Sequence, residues 1–260
     1  IEVIGPIGHF TGYKMAGGSI VVRGDAGSWL GSKMRGGTIE VYGSAGHHVG
    51  SKLMGERPGK GMRGGIIRIH GDAGCFIGEG MGKGAIIVEG SAGIMPGVHM
   101  TGGSIMIKGG CQGLPGARMT GGKIVVCGRT PRVLPSFYAD SVVGKAKVKG
   151  VVVKGRFILM IGDSVVNGHG KLYLDLDSNP ELEELAKKAR GLDGAGPTTV
   201  ASVEVEEDRR EGLRLLSELG LTVVVHTGLV KEEVAEGLAK ADVDAALLLS
   251  LIHISEPTRP

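Results

Sequence analysis

Between Ile20 and Thr38 the chain reads Ile-Val-Val-Arg-Gly-Asp-Ala-Gly-Ser-Trp-Leu-Gly-Ser-Lys-Met-Arg-Gly-Gly-Thr, and variants of this unit follow one another along the chain. Each unit restarts at an isoleucine, and every interval but one is 19 residues. The exception, from Ile39 to Ile67, is 28 residues and so carries an insertion of nine. A fixed period of this length predicts a solenoid, in which stacked coils bury a continuous core. The seven starting residues are Ile1, Ile20, Ile39, Ile67, Ile86, Ile105 and Ile124.

Within the unit, counted from its isoleucine as position 1, aliphatic residues occupy positions 1 and 3, as in Ile20 and Val22. Positions 2 and 4 carry mixed side chains such as Glu40 and Arg23. Alternation with a period of two, bounded by glycine, predicts one β-strand per unit with positions 2 and 4 facing outward. A methionine at position 15 predicts an internal stack of flexible thioethers. These methionines are Met15, Met34, Met62, Met81, Met100 and Met119.

Glycines at positions 5, 8 and 12 form a repeated G-x-x-G-x-x-x-G motif, and 49 of the 260 residues are glycine. A coil that turns its corners within 19 residues needs backbone with positive φ, or backbone too crowded for a Cβ atom. Coils stacked at strand spacing then make a β-helix, with like residues aligned in ladders. The structural glycines of the complete interior copies are Gly24, Gly27, Gly31, Gly43, Gly46, Gly50, Gly71, Gly74, Gly78, Gly90, Gly93 and Gly97.

The composition restricts the classes of protein that remain. A formal net charge of +3 and 3% aromatic residues argue against nucleic-acid binding. Cys75, Cys111 and Cys127 form no paired motif, which favours free thiols in a reducing compartment and a cytoplasmic location. No apolar run reaches the roughly 18 residues of a membrane span. Because the chain begins at Ile1 inside a repeat, we expect that its N-terminus is missing.

The repeat ends after Gly128, and two further kinds of sequence follow. Residues Ala146–Lys154, Phe157–Asp163 and Gly168–Leu174 predict strands that close the open end of a β-helix spanning residues 1–174. Residues 175–248 alternate helix and strand patterns, which predicts a truncated α/β segment. The predicted helices are Pro180–Arg190, Glu206–Leu219 and Lys231–Lys240, and the predicted strands are Val200–Val205, Thr222–His226 and Val243–Leu248. Residues 249–260 resemble a translated sequencing adapter, so we expect the second domain to be cut off there.

Position 14 of the unit predicts a basic ladder along one side of the solenoid, interrupted at Gly80. Two interpretations stay open: a solvated face, or a docking stripe for an acidic partner surface. The insertion Leu53–Gly61 predicts a protruding loop that contacts a partner. The candidate docking residues are Lys14, Lys33, Lys52, His99 and Arg118 on the ladder, with Arg57 and Lys60 on the insertion.

The sequence predicts no catalytic residues and no cofactor or metal site in this chain. The glycine motif lacks the start of a dinucleotide fingerprint and opens no helix, and the insertion has the wrong spacing for a phosphate loop. Asp25 and Asp72 do not supply the nine-residue aspartate period of a calcium-binding solenoid. Trp29 and the pair His47-His48 fall at neighbouring positions of adjacent coils, but a metal site would need more ligands.

The G-x-x-G-x-x-x-G repeat followed by Gly-Gly-x-Ile-x-Val resembles two related families of right-handed β-helix. One comprises the C subunit of formylmethanofuran dehydrogenase and of the bacterial formyltransferase/hydrolase complex. The other is the C-terminal domain of the glutamate synthase large subunit. The closing segments Phe157–Asp163 and Gly168–Leu174 are similar to the C-subunit pattern, which favours the first family.

That resemblance implies a non-catalytic scaffold subunit in one-carbon metabolism, as in methanogenesis. It implies a pterin-containing subunit and an amidohydrolase-type subunit as partners. Molybdenum or tungsten pterin and iron–sulfur clusters would then be bound by partner subunits. Two alternatives stay open: a terminal domain of a glutamate synthase-like enzyme, and a β-helix adaptor fused to a truncated α/β enzyme. For the second, Thr222–Val230 faintly resembles a strand of radical-SAM barrels, although their three-cysteine motif is absent from the sequence.

Overall fold

The computed structural model describes residues 1–189, which form a β-solenoid with one strand per repeat unit. Seven strands pair in parallel, each with its neighbours in sequence, and three further strands extend the same sheet. The predicted mainly-β solenoid fold is therefore confirmed. The parallel strands are β1 (Glu2–Val3), β2 (Ser19–Val22), β3 (Thr38–Val41), β4 (Arg63–Ile69), β5 (Lys83–Val88), β6 (Ser104–Ile107) and β7 (Lys123–Val126).

The register of the sheet follows the repeat. The isoleucines at position 1 pair directly, from Ile20 with Ile39 through to Ile105 with Ile124. The insertion does not disturb this alignment, because Ile39 still pairs with Ile67. A second parallel ladder of single bridges joins position 7 of successive coils. Its members are Ile7, Ala26, Ala45, Ala73, Ala92 and Cys111.

The core is a column of side chains at positions 1, 3, 7, 11 and 15. The predicted methionine stack is confirmed, because Met34, Met62, Met81, Met100 and Met119 are fully buried and Met15, in the first coil, is partly buried against the same core. Position 11 contributes Leu30, Val49 and Ile77, which are also fully buried. Aliphatic and thioether side chains fill this narrow interior at low aromatic content, as the composition predicted.

The two demands expected of the motif glycines fall on different positions. At Gly27 a Cβ atom would lie 2.8 Å from the backbone of Gly8 in the preceding coil, so crowding excludes a side chain. At Gly50 the backbone has a φ of +67°, and a Cβ atom would lie 2.8 Å from Cδ1 of Ile86. The first two glycines of the motif therefore let coils approach, and the third turns the corner.

Positive φ also occurs at positions 10 and 14, where the residues are not glycine. Trp29 and Lys33 have φ values of +65° and +57°. The left-handed conformation costs an L-residue energy, so something must offset it. At position 10 the N–H donates to a backbone carbonyl further along the chain, as from Trp29 N to His47 O at 2.8 Å, and at position 14 Arg118 N donates to Oδ2 of Asp163. The sequence gives no sign of this, because bulky residues rarely adopt that conformation.

An antiparallel hairpin and one further strand close the end of the solenoid. Strand β8 (Tyr138–Val148) pairs with β9 (Val151–Gly162), and β9 pairs with β10 (Gly170–Asp175). Strand β10 continues the parallel ladder beyond β7, with Leu172 beside Ile124. The predicted closing strands Phe157–Asp163 and Gly168–Leu174 are thus confirmed within β9 and β10.

The predicted strand Ala146–Lys154 is wrong, because a turn at Lys149-Gly150 divides it between β8 and β9. Both turn residues have positive φ, +45° and +88°. Two consecutive residues of that kind form the two-residue turn whose twist suits a hairpin.

The hairpin also covers part of the sheet's outer face. Ala146 and Val148 of β8 and Phe157 of β9 pack with Ile87 and Met106 of the parallel strands. Position 2 therefore faces a second apolar layer in the later coils, and not solvent as the alternation predicted. The physical reason is that a neighbouring element decides which outward face is covered, and repeat periodicity does not report it.

The described chain ends with a 3-10 turn (Pro180–Leu182) and helix α1 (Glu183–Ala189). The predicted helix at Pro180–Arg190 is confirmed over this range, and its Leu182 and Ala186 are buried in the solenoid core. The other helices and strands predicted for residues 191–248, and the adapter-like residues 249–260, lie outside the described residues. No helix among residues 1–189 is long and apolar enough to cross a membrane.

Candidate interaction surface

The predicted basic ladder forms at position 14, at the last corner of each coil before the methionine stack. Lys14, Lys33, His99 and Arg118 share the positive-φ conformation there. Their side chains differ in exposure: Lys14 and Arg118 are exposed, whereas Lys33 and His99 are half-buried and Lys52 is buried. The middle of the ladder is thus enclosed, and its two ends face solvent.

Two glutamates neutralise the enclosed lysines. Lys33 Nζ binds Oε1 of Glu56, and Lys52 Nζ lies 2.8 Å from Oε1 of Glu79. The hydrogen bond from Lys33 lowers the pKa of Glu56. Neither glutamate was predicted, because Glu56 lies in the insertion and Glu79 lies at position 13, beside the ladder. A docking stripe for an acidic partner would need free positive charge along the ladder, and in this middle section both lysines are bound to glutamates.

The exception at Gly80 has a steric explanation. The stem of Lys52 crosses the coil at this point, and a Cβ atom on Gly80 would lie 2.6 Å from Lys52 Cδ. A side chain at Gly80 would displace the lysine from Glu79. The space that a side chain at Gly80 would fill is therefore occupied by the apolar stem of Lys52, and the ammonium group of Lys52 is bound by Glu79.

Glu79 joins the basic ladder to a second ladder at position 10. Its Oε2 lies 3.1 Å from Nδ1 of His48, while its Oε1 binds Lys52. Burial lowers the pKa of His48, which favours its neutral form. Below Glu79 a buried hydroxyl, that of Ser51, accepts a hydrogen bond from the Glu79 N–H at 3.2 Å. The carboxylate is therefore held by His48 and Lys52, and the backbone of the same residue is held by Ser51.

Position 10 carries a stack of four rings that sequence reasoning missed. Phe10, Trp29, His48 and Phe76 lie nearly parallel, with ring centroids 5.5, 4.2 and 5.1 Å apart. The signal was present as aromatic residues at one position of successive units. Neighbouring rings cover both faces of the His48 imidazole, so only the edge of this ring can contact other groups. On that edge, Nδ1 bonds to Glu79.

Position 9 and position 6 side chains link the coils through the backbone. Nδ1 of His47 accepts the N–H of Cys75 at 2.9 Å, and Oδ1 of Asp25 accepts the N–H of Ser44 at 2.7 Å. Asp72 does the same for Ser91. These residues, considered above for metal binding, satisfy backbone donors of the following coil.

The insertion is anchored to the solenoid. Glu56 accepts the N–H of Leu53 at 2.9 Å and binds Lys33 of the preceding coil. The loop returns close to a later coil, since a Cβ on Gly59 would lie 3.0 Å from Thr101 Oγ1. Between these anchors Met54 is 86% exposed. Arg57 and Lys60 are exposed beside it.

His99 occupies the ladder beyond Gly80, and its ring nitrogen Nδ1 is buried without a hydrogen-bond partner among the described residues. Burial lowers its pKa, and the charges of Arg118 and Lys52 lower it further. No group of three or more histidine, cysteine or acidic side chains within residues 1–189 is placed to hold a metal ion.

The comparisons with known proteins find a likeness among solved structures. No protein-family model matches the chain, and no curated protein matches it. A chain in the crystal structure of the formyltransferase/hydrolase complex from Methylorubrum extorquens, solved with methylofuran, is similar to this chain. The two are 26% identical, the match covers 60% of this chain and 70% of that one, and the TM-score is 0.47.

Proposed function

We propose that this chain is a non-catalytic scaffold subunit, which binds its partner subunits through the insertion and the adjoining side of the solenoid. The observation that carries the proposal is the anchoring of the insertion by Glu56. Because Glu56 binds both Lys33 and the backbone of Leu53, the loop holds Met54 and Arg57 in a fixed position. A preorganised protrusion loses little conformational entropy on binding, which favours affinity.

The ionisable groups beside the insertion support a structural function rather than catalysis. His48 and Glu79 would be the obvious acid–base pair, but the Glu79 carboxylate is also held in an ion pair with the buried Lys52. Trp29 and Phe76 cover the faces of the imidazole. With Nδ1 bonded to Glu79 and both ring faces covered, the imidazole serves to hold the ring stack and the Glu79–Lys52 ion pair in place.

The complex that fits best is a formylmethanofuran dehydrogenase or a formyltransferase/hydrolase complex. The support is the G-x-x-G-x-x-x-G repeat with its Gly-Gly-x-Ile-x-Val continuation and the closing strands after it. In such a complex the partners are a pterin-containing subunit and an amidohydrolase-type subunit. Molybdenum or tungsten pterin and iron–sulfur clusters are then held by those partners, and this chain contributes no cofactor ligand.

The first experiment is long-read sequencing of the source locus, followed by affinity purification of the tagged full chain co-expressed with its neighbouring genes. The expected result is a stable complex containing the pterin-containing or the amidohydrolase-type subunit, identified by mass spectrometry. A monodisperse monomer that retains neither of these subunits, when both are expressed, would refute the proposal.

A variant tests the insertion directly. Met54→Ser with Arg57→Gln should reduce retention of the partner about tenfold, because both side chains are exposed at the centre of the contact. The matched control is Val165→Ser with Arg35→Gln, which likewise replaces one exposed apolar side chain by serine and one exposed arginine by glutamine, at positions outside the insertion. Equal retention by both variants would show that the insertion does not bind the partner.

A further inference from the structure

The hairpin of β8 and β9 has two different faces. Its inner face packs on the sheet through Ala146, Val148 and Phe157, as described above. Its outer face is formed by the alternate residues, which are all exposed. We call this face the lysine ribbon. It comprises Lys145, Lys147, Val152 and Lys154, with Lys149 at the turn.

The lysines of the ribbon are not neutralised within residues 1–189. No carboxylate of that part of the chain lies within 4.0 Å of any of them. Lys145 and Lys154 are directly opposite in the antiparallel register, where like charges destabilise the pair. Nearby Arg156 behaves differently, since it binds Asp177 and Glu183. Acidic side chains are thus available next to the hairpin and are bound elsewhere.

We propose that the lysine ribbon is a docking surface for an acidic segment of a partner protein. Carboxylates of such a segment would lie between Lys145, Lys147 and Lys154 and remove their mutual repulsion. Val152 indicates a protein partner rather than a nucleic acid. Val152 is 49% exposed and stands opposite Lys147, so an apolar side chain is surrounded by charged ones. This resembles the apolar centre and polar rim of a protein interface.

Nucleic acid is the less favoured partner for two reasons. The ribbon's outer face carries no aromatic ring on which a base could stack. The chain as a whole has a formal charge of +3, well short of the strongly basic domains that bind phosphate backbones. The inference is also independent of the proposed function, because the ribbon and the insertion share no residue.

The test measures binding of fluorescein-labelled peptides to the full chain by fluorescence anisotropy. One peptide repeats the triplet Asp-Asp-Leu, a second repeats Asp-Asp-Ser, and a single-stranded DNA oligonucleotide of equal charge is the third probe. The Asp-Asp-Leu peptide should bind tightest, and raising salt should weaken it, because the contact is largely between exposed charges. Val152→Ser should abolish the preference for leucine over serine.

Charge variants locate the site. The quadruple variant Lys145→Gln, Lys147→Gln, Lys149→Gln and Lys154→Gln should bind the Asp-Asp-Leu peptide at least about tenfold more weakly. The control removes four exposed positive charges elsewhere, and it should change binding by less than about twofold. Its substitutions are Arg35→Gln, Arg63→Gln, Lys83→Gln and Lys187→Gln.

Two results would overturn the proposal. Equal losses in both quadruple variants would show that net charge, and not the ribbon, attracts the peptide. Tighter binding of the oligonucleotide than of either peptide would show that the ribbon is a nucleic-acid surface. All the substituted side chains are exposed, so the variants should unfold at a midpoint no lower than that of the unaltered chain, and loss of the Lys145–Lys154 repulsion should raise it slightly in the ribbon variant.

Discussion

Replacement of Glu79 by glutamine should destabilise the solenoid far more than so small a change in side-chain structure would suggest. The substitution keeps the shape of the side chain and removes its charge. Lys52 is then left without its counter-ion, although only 9% of its side chain is exposed and the carboxylate that it binds is itself 16% exposed. Removal of one partner of an enclosed ion pair leaves the other charge desolvated and unpaired.

The expected magnitude follows from the geometry. At the 2.8 Å separation of Lys52 Nζ and Glu79 Oε1, two unit charges in a medium of effective dielectric constant about 20 attract by about 6 kcal/mol. Glutamine still accepts a hydrogen bond from the lysine, and water at the partly open edge compensates further. We therefore expect a loss of about 2 kcal/mol in the free energy of unfolding, near the value of a charged hydrogen bond. For a protein of this size that corresponds to a fall of roughly 4–8 °C in the midpoint.

The matched control is Glu2→Gln, which makes the same change at an exposed ion pair. Glu2 binds Arg23 at 2.9 Å, with side chains 57% and 47% exposed, and pairs of that kind contribute about 0–1 kcal/mol. The assay is thermal and urea unfolding followed by circular dichroism. Lys52→Met, alone and with Glu79→Gln, completes a double-mutant cycle whose coupling energy should exceed about 1 kcal/mol. If Glu79→Gln is no more destabilising than Glu2→Gln, the inferred role of the enclosed pair is wrong.

Three further predictions concern the coils themselves. Gly78→Ala should lower the free energy of unfolding, measured with urea, by at least about 2 kcal/mol, because the φ of Gly78 is +66° and the new Cβ atom would lie 2.5 Å from a core isoleucine. The control Gly144→Ala should leave that free energy nearly unchanged, because the space around Gly144 is open. Burial lowers the pKa of His48 and His99 in the folded chain below the ordinary 6.5. The unfolded chain therefore binds protons at a higher pH than the folded chain, and the free energy of unfolding should fall as the pH drops below about 6.5. The double variant His48→Gln, His99→Gln should flatten that pH dependence in thermal melts from neutral to mildly acidic pH. Burial raises the pKa of Cys127 from 9.0 to about 11, so its alkylation by iodoacetamide near neutral pH, followed by mass spectrometry, should be about 100-fold slower than that of free cysteine.

The repeat allowed the solenoid, its register and its core to be predicted, because stacking places equal positions of successive units in contact. Met81 and Met100 are 19 residues apart in sequence and adjacent in space, so the burial of one predicts the burial of the other. The ladder at position 14 followed from the same logic. Periodicity of this kind reports the backbone path and which side chains face inward.

What lay outside the repeat could not be predicted in the same way. Glu56 enters the ladder from the nine-residue insertion, and its partner Lys33 lies in the preceding coil. The turn at Lys149-Gly150 depends on two residues with positive φ, one of which is a lysine. Whether Met106 on the outer sheet face is buried depends on where the hairpin folds. These features result from contacts between non-equivalent residues, about which a repeat carries no information.

A solenoid built from a repeat tends to place like charges in contact, and this chain resolves that conflict in different ways along its length. On the outer face of β3 and β4, Arg68 lies opposite Glu40, and His70, which follows β4, bonds to the same glutamate at 3.0 Å. At position 14, Glu79 enters beside the ladder and Gly80 omits a side chain so that Lys52 can reach it. The lysine ribbon shows neither solution among the described residues. Lys145 and Lys154 stay opposite each other there without a carboxylate from residues 1–189, and Val152 on the same exposed face offers an apolar contact, which is why an acidic protein segment is the expected partner.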